Sequence, residues 1–524
     1  MNRLVLELRF WEVVYHLVNR EGMRVVHISQ SGEEIWLEDD RQEPFQIIRI
    51  AQKDFDWSNQ MRSDIESAFE RGKQVRKQLN LRSANVINLT LSLYEPVDSY
   101  EELIDQALPF TAGGKNQQRT ILIPIGKLQE KFFPLATEWK LKEMPQFLSY
   151  DQMTDPEAVI NSLRYSVQKA SESRVEKEKQ VFFYGKPILT FLLLGIILII
   201  FAIVERFGST TDTLTLISFG AKFNPLILEG EWWRFFSAMF LHIGIFHLLM
   251  NSLALFYLGS AVERIYGTSR FFFIYFLAGL VGSVASFSFN EHVSAGASGA
   301  IFGCFGALLY FGVIHHRLFF RTMGMNVIVI LMINLGFGFM VPMVDNGAHI
   351  GGLIGGFAAS AIVGLPNTKK VKKRFLALIL TIAGIVGLLH YGYSQEETTQ
   401  SYIVYLQIGQ EYLQNNELEN AKLYFGRIID GNLDLAEPIL TETYFLLAYI
   451  QATMDNLDEA EEHLLYTIER NPEFHEAHYN LSLVYMEQRR YEEAYDQLQE
   501  ALAIEPDVTE YKQLEQQLRY LKNQ

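Results

Sequence analysis

Ser298 lies in Gly-Ala-Ser-Gly at the start of an apolar segment, 296–314, and His349 lies in Ala-His-Ile-Gly-Gly on a later one, 347–365. A hydroxyl becomes a competent nucleophile when an imidazole within about 3 Å takes its proton. Both residues are flanked by small side chains, which let two helix backbones approach closely in lipid. Gly299, Gly303 and Gly306 form such a strip after the serine, and Gly352 and Gly356, three and seven residues past His349, share the histidine's helix face. The pattern predicts a nucleophile and its base on two tightly packed membrane helices.

An earlier apolar segment contributes His242, His247 and Asn251. His247 and Asn251 are four apart and project from one helix face. Polar groups at membrane depth are costly unless paired or facing water. An imidazole and a carboxamide aimed at Ser298, with the Ser298 N–H at a positive helix end, would form an oxyanion hole. Phe302, one turn below Ser298, is placed to brace the His349 ring. Singly, each feature has a plainer reading: glycine strips pack helices, membrane serines bond their own helix, and single histidines fill cores. Their joint occurrence points to chemistry.

These residues must be positioned by membrane helices. Seven apolar runs, near 187–204, 236–258, 271–289, 296–314, 325–343, 347–365 and 375–391, approach or exceed the length of about 18 residues that crosses a hydrocarbon core. Arg3, Glu7, Arg9 and Glu12 interrupt the apolar N-terminus, so it lacks the continuous core of a signal peptide. Lys177, Lys179 and Lys186 precede the first run, Arg264 and Arg270 lie between the second and third, Arg317 and Arg321 follow the fourth, and Lys369, Lys370, Lys372, Lys373 and Arg374 precede the seventh. All four clusters fall on one face, which the positive-inside rule makes cytoplasmic. The expected topology is a multi-pass plasma-membrane protein with its N-terminus inside and its C-terminus outside. A net charge of -16 on 524 residues makes nucleic acid an unsuitable partner. The only cysteine, Cys304, is inside a run, so no disulfide framework is expected.

The expected fold is a multi-pass α-helical core between two soluble regions. Residues 1–150 predict a cytoplasmic mixed α/β domain: Arg24–Ser29 and Glu34–Glu38 flank a Ser31-Gly32 turn, Phe45–Ala51 and Asn85–Tyr94 alternate, and Ser58–Leu79 has helical spacing. His16, His27, Asp39 and Asp40 are of metal-ligand type, but solvated strand-end carboxylates and structural histidines account for them, and no metal or other cofactor is expected. Residues 151–186 predict a charged helical linker, and 187–392 the membrane domain. In 393–524, Ala448, Leu464 and Pro472 recur 34 residues later as Ser482, Leu498 and Pro506, and Leu457 and Ala460 recur as Tyr491 and Ala494. That is the period of stacked helix pairs. A looser copy has Gly409, Tyr412, Leu418, Ala421 and Phe425, displaced by a longer loop around Gly431–Pro438, and Val508–Leu521 predicts a capping helix. Three tetratricopeptide-like repeats should lie outside the cell, open to protein partners.

Trp233-Arg234, His242-x4-His247-x3-Asn251, Glu263-Arg264, Gly296-Ala-Ser-Gly299 and Ala348-His-Ile-Gly-Gly352-x3-Gly356 resemble the rhomboid family of intramembrane serine proteases over about 187–370. The resemblance implies a six-helix core plus one extra helix and a Ser298–His349 dyad without an acidic third member. It also implies an oxyanion hole at His247 and Asn251, and a membrane-dipping loop bearing Trp233 and Arg234. The flanking domains are similar to those of long rhomboids of Gram-positive bacteria. Phe302 stands where some members have tyrosine, which keeps the ring and removes a hydroxyl. Expected substrates are membrane proteins whose helices unwind readily near the outer surface, with water reaching the site through the polar loop 290–295.

Other chemistries fit less well. A membrane metalloprotease needs His-Glu-x-x-His, whereas His242 and His247 are five apart without an intervening glutamate. The spans lack paired aspartates. A transporter or receptor that buries polar residues along a pathway, and a non-proteolytic adaptor, remain the alternatives.

Overall fold

The computed structural model describes residues 2–522 apart from 42–44, 80, 82, 111–115, 149, 151–152, 342, 369–370, 396–397 and 432–436. Residues 1–182 and 183–524 form two compact units.

In the first unit, alternating apolar residues build a six-stranded sheet of order β1-β2-β3-β4-β6-β5, with β1 Arg24–Ile28, β2 Glu34–Asp39, β3 Phe45–Gln52, β4 Ala84–Ser92, β5 Leu108–Pro109 and β6 Gln117–Pro124. The hairpin at Ser31-Gly32 sets β1 antiparallel to β2, while the helix Ser58–Gln78 carries the chain over to a parallel β4. The helix Asn2–Tyr15, which the sequence reading did not assign, covers the sheet: Phe10, Val13 and Val14 pack with Ile48, Ile50 and Leu89. The helix expected as a linker, Pro156–Phe182, buries Ile160 and Val167 in this same core, and Arg174 binds Asp40 at 3.0 Å. On the buried Arg49 converge Glu34 (2.7 Å), Asp64 (2.7 Å) and Asn88 (2.8 Å). His16 Nε2 lies 2.9 Å from the Glu143 carbonyl, and Asp39 accepts from Arg41. No cluster of three or more His, Cys, Asp or Glu that could hold a metal occurs among the described residues.

Among its described residues the second unit begins with seven apolar helices, Ile188–Phe207, Gly244–Tyr266, Thr268–Phe289, Ser298–Ile314, Gly324–Met340, Asn346–Val363 and Val371–Tyr393, of which five are long and apolar enough to cross a membrane; Ser298–Ile314 is shorter, and Gly324–Met340 passes only together with the helix before it. The fifth continues from His316–Thr322 through a 73° bend. The second starts eight residues later than its hydropathy suggests and ends eight later, at Tyr266, which moves Arg264 from the following loop to the helix end. Residues 234–240 instead form two short turns, closed by Gly244 at a φ of +70°. Glu263 explains its own position. Buried between helices, its carboxylate accepts from the Leu189 and Thr190 N–H groups (2.9 and 2.8 Å) and from the Thr190 and Thr268 hydroxyls (2.7 and 2.8 Å), so it caps the first membrane helix from another element. Lys369 and Lys370 of the fourth positive cluster lie outside the described residues.

After Ser394 come three helix pairs, Thr399–Gln414 with Leu418–Ile429, Glu437–Thr453 with Leu457–Arg470, and His475–Glu487 with Tyr491–Ile504, then the cap Thr509–Lys522. The repeat residues Ala421, Ala448, Ala460, Leu464, Ser482, Ala494 and Leu498 are all buried where helices touch. Residues 432–436 of the long inter-repeat loop lie outside the described residues.

Candidate active site

Ser298 is the first residue of the fourth membrane helix. At 17 residues that helix is about 25 Å long, shorter than a hydrocarbon core about 30 Å thick. The sixth helix crosses it in backbone contact. A Cβ on Gly352 would collide with the Gly299 carbonyl, and one on Gly356 with the Gly303 carbonyl. A Cβ on Gly282, in the third helix, would come within 2.8 Å of the Ala348 carbonyl. Only glycine at these crossings lets three helices meet around Ser298 and His349.

Each predicted residue has a definite place. Phe302 stacks on the His349 imidazole with ring centroids 4.1 Å apart and planes at 11°. His349 Nδ1 has no hydrogen-bond partner. His247 packs edge-on against Gly296, where a Cβ would approach its Cε1 to 2.9 Å and its Nε2 to 3.1 Å; Gly296 also has a φ of +153°, outside the ordinary range of other residues. The Ile243 N–H donates to His247 Nδ1 at 3.3 Å, which leaves the proton of the neutral ring on Nε2, the nitrogen facing Gly296. The Asn251 amide donates to the His247 carbonyl on its own helix (3.2 Å). His242 is buried beside His247, with ring centroids 5.3 Å apart.

Trp233 and Arg234 hold the loop before the second membrane helix. Arg234 Nη1 donates to the Ile217 and Ala221 carbonyls (2.6 and 3.1 Å), and its guanidinium lies 4.7 Å from the Trp233 ring. The Ser237 hydroxyl donates to the Gly220 carbonyl (2.6 Å), where Trp233 packs so closely that no side chain fits.

The sequence reading missed Lys222. It is buried, and its ammonium donates to the Asn290 and His292 carbonyls at 2.6 and 3.0 Å. Burial pushes it down to about 8, with the carboxylates of Asp345 and Glu291 acting in the other direction. Its backbone pairs with Ser294 in both directions (2.8 and 3.0 Å). Loop 290–295, expected to admit water, is thereby tied down. Asp345 was also missed. It caps the His349 helix by accepting from Ala348 N (2.9 Å), and the Ser286 hydroxyl donates to it. A lone lysine among apolar residues, and an aspartate just before a helix, were the available signals. Lys222, Ser283, Ser286, Ser294, Ser298 and Ala348 border a cavity of about 20 Å³, room for about one water.

Residues 229–366 match the Rhomboid domain family, and 402–430 and 452–518 match tetratricopeptide repeat families. The chain is 38% identical over 488 residues to "Rhomboid protease GluP" of Bacillus subtilis (strain 168), covering 92% of each chain. It is 35% identical over 219 residues to "RHOMBOID-like protein 5" of Arabidopsis thaliana, covering 36% of this chain and 69% of that one. With "Putative rhomboid protease YdcA" of Bacillus subtilis (strain 168) it shares 32% identity over 186 residues, covering 34% and 90%.

Proposed function

This chain belongs to the rhomboid family of intramembrane serine proteases, and on that premise we propose that Ser298 is its nucleophile and His349 its general base. Ser298 Oγ attacks the carbonyl carbon of a peptide bond as the His349 imidazole takes the hydroxyl proton. The carbonyl oxygen becomes an oxyanion that accepts hydrogen bonds from His247 Nε2, the Asn251 amide and the Ser298 N–H. His349 then gives its proton to the leaving amine. Water, deprotonated by the same imidazole, hydrolyses the acyl-enzyme.

The observation that carries this reading is the Gly299–Gly352 contact, because it sets the turn that begins at Ser298 against the turn that follows His349. The Phe302 stack on His349 and the packing of His247 on Gly296 support it. A triad would place a carboxylate on His349 Nδ1, and that atom is unpartnered, in keeping with a dyad.

The substrates are membrane proteins. We place the scissile bond near the outer surface, in helices that small or helix-breaking residues allow to unwind, because the serine stands at the outer end of its helix. The domains are 1–150 with the helix that follows it inside the cell, 187–392 in the plasma membrane, and 393–524 outside as an adaptor surface. Protease added to intact protoplasts should remove the repeats and spare the N-terminal domain.

The test of the dyad is cleavage by purified protein. Ser298→Ala and His349→Ala should each abolish it, and the double variant should lose little more, because both serve one step. A fluorophosphonate should label wild-type Ser298 and leave the His349→Ala protein unlabelled. Cleavage retained by Ser298→Ala would sink the dyad.

A further inference from the structure

The first tetratricopeptide repeat is packed onto the outer loops of the membrane domain. Leu214, Ile217 and Phe223, from the loop between the first two membrane helices, share one apolar cluster with Tyr402, Tyr405, Tyr424 and Phe425 of the repeat. Phe223 is fully buried there, its ring centroid 6.3 Å from that of Tyr424. At the rim Arg427 pairs with Glu229 and lies over the Tyr424 ring at 5.5 Å. The hydroxyls of Thr398 and Ser401 donate to Glu291 (2.6 and 2.8 Å), and Gln400 Nε2 lies 3.3 Å from His292 Nε2. Both sequence stretches that the repeat touches are joined beneath it by Lys222.

From this geometry we propose that the first repeat is a positioning surface for proteolysis, clamping the outer loops that set the backbone entering Ser298. The mechanical path is short. Phe223, held by the repeat, adjoins Lys222; Lys222 pairs with Ser294 and holds the Asn290 and His292 carbonyls. Gly296 N, two residues on, donates to Ala238 O at 2.9 Å, and Ser298 follows. The path therefore ends at the wall against which His247 packs. A shift of about 1 Å in a reacting group can cost on the order of a hundredfold in rate, so a brace on this backbone acts on turnover rather than on substrate capture. The array is accordingly a fixed part of the enzyme's outer face, and its second and third repeats are held at a set place beside the emerging substrate.

The proposal rests on Ser298 and His349 being the dyad, and the test separates the two. In membranes carrying Glu229→Cys with Arg427→Cys, a short bismaleimide should cross-link the pair within one chain, the native Cys304 being buried. Leu214→Asp on the loop side and Tyr424→Asp on the repeat side should each undock the array, seen as loss of the cross-link and as new cleavage by a glutamate-specific protease between Ser394 and Thr399, a stretch with two glutamates and no lysine or arginine. With a substrate that has no outer domain, both undocked variants should lose about tenfold or more in kcat at unchanged KM, whereas the cross-linked protein should keep the wild-type rate. If the repeat side misfolds, seen as lost helicity by circular dichroism, the loop-side variant decides. Undocked protein that cleaves at the wild-type rate, or the absence of any cross-link, would overturn the clamp. If instead no form is labelled at Ser298 by a fluorophosphonate, the dyad has failed and not the clamp.

Discussion

The ring of Phe302 lies flat on the imidazole of His349, 4.1 Å between centroids, and no hydrogen bond to His349 Nδ1 shares the task of orienting it. If Ser298 and His349 act as the proposed dyad, ring orientation falls to packing. An aromatic pair of this kind contributes about 0.5–1.5 kcal/mol beyond burial, equivalent to about two- to tenfold in rate. Phe302→Ala should lower kcat by that much or somewhat more, since a cavity also opens, while Phe302→Tyr, which keeps the ring, should cleave near the wild-type rate. Initial rates in detergent or liposomes distinguish the two.

The helix crossing gives a sharper contrast. Gly352→Ala and Gly356→Ala each drive a methyl into a carbonyl of the facing helix, whereas Gly336→Ala and Gly384→Ala meet nothing within 4 Å. Overpacking of this kind costs about 1–3 kcal/mol. The first pair should lower the thermal midpoint and activity together, and the second pair should leave both unchanged. Equal behaviour of the four would refute close backbone contact at the site.

The proposed oxyanion donors should behave differently from the proposed dyad. Asn251→Ala and His247→Ala should each reduce kcat by about 100- to 1000-fold, the loss typical of one missing donor, with KM nearly constant. Both should still react with a fluorophosphonate at Ser298, since the nucleophile and base remain. Complete loss of labelling in Asn251→Ala would move that residue from stabilising the oxyanion to activating the serine.

In the N-terminal unit, burial opposes the ionisation of Asp64 and Glu34, but hydrogen bonds and charge from Arg49 outweigh it and both carboxyls sit below their ordinary values. A depressed folded value means that the stabilisation is present above the unfolded pKa, about 4, and is lost as pH falls through the folded value. A fragment of residues 1–182 should therefore lose thermal stability as pH drops below about 5. Arg49→Met, which leaves Asp64 only the half-exposed Lys53 as a charged partner (3.0 Å), should cost less than the about 3–5 kcal/mol of a fully unpaired buried charge at neutral pH and weaken that dependence. Thermal melts followed by circular dichroism at stepped pH measure both.

What the sequence by itself determined is local or periodic. Hydropathy located seven apolar helices, five of them long enough by themselves to cross a membrane, because apolar length is a property of one segment, and the 34-residue period located the repeats because each repeats the same contacts. Glycine spacing after Ser298 and His349 announced close packing, since the absence of a side chain is visible in one dimension. The ends of the second helix were misjudged because residues 236–243 are apolar without belonging to it, forming the ends of two short turns and the bend after them: Gly244 takes a positive φ there, and only the path of the chain into the bundle requires it. Tertiary structure alone decided which distant groups meet. Lys222 reads as a loop lysine until it is found buried under the first repeat, holding two carbonyls about 70 residues away; Glu263 reads as part of a motif until it caps a helix 73 residues earlier. The charged helix after residue 155 reads as a linker, yet buries Ile160 and Val167 in the domain it follows. The docking of the repeat on the loop before the second membrane helix had no sequence signal, because an aromatic residue has the same composition whether it faces its own repeat, a partner or another part of its chain.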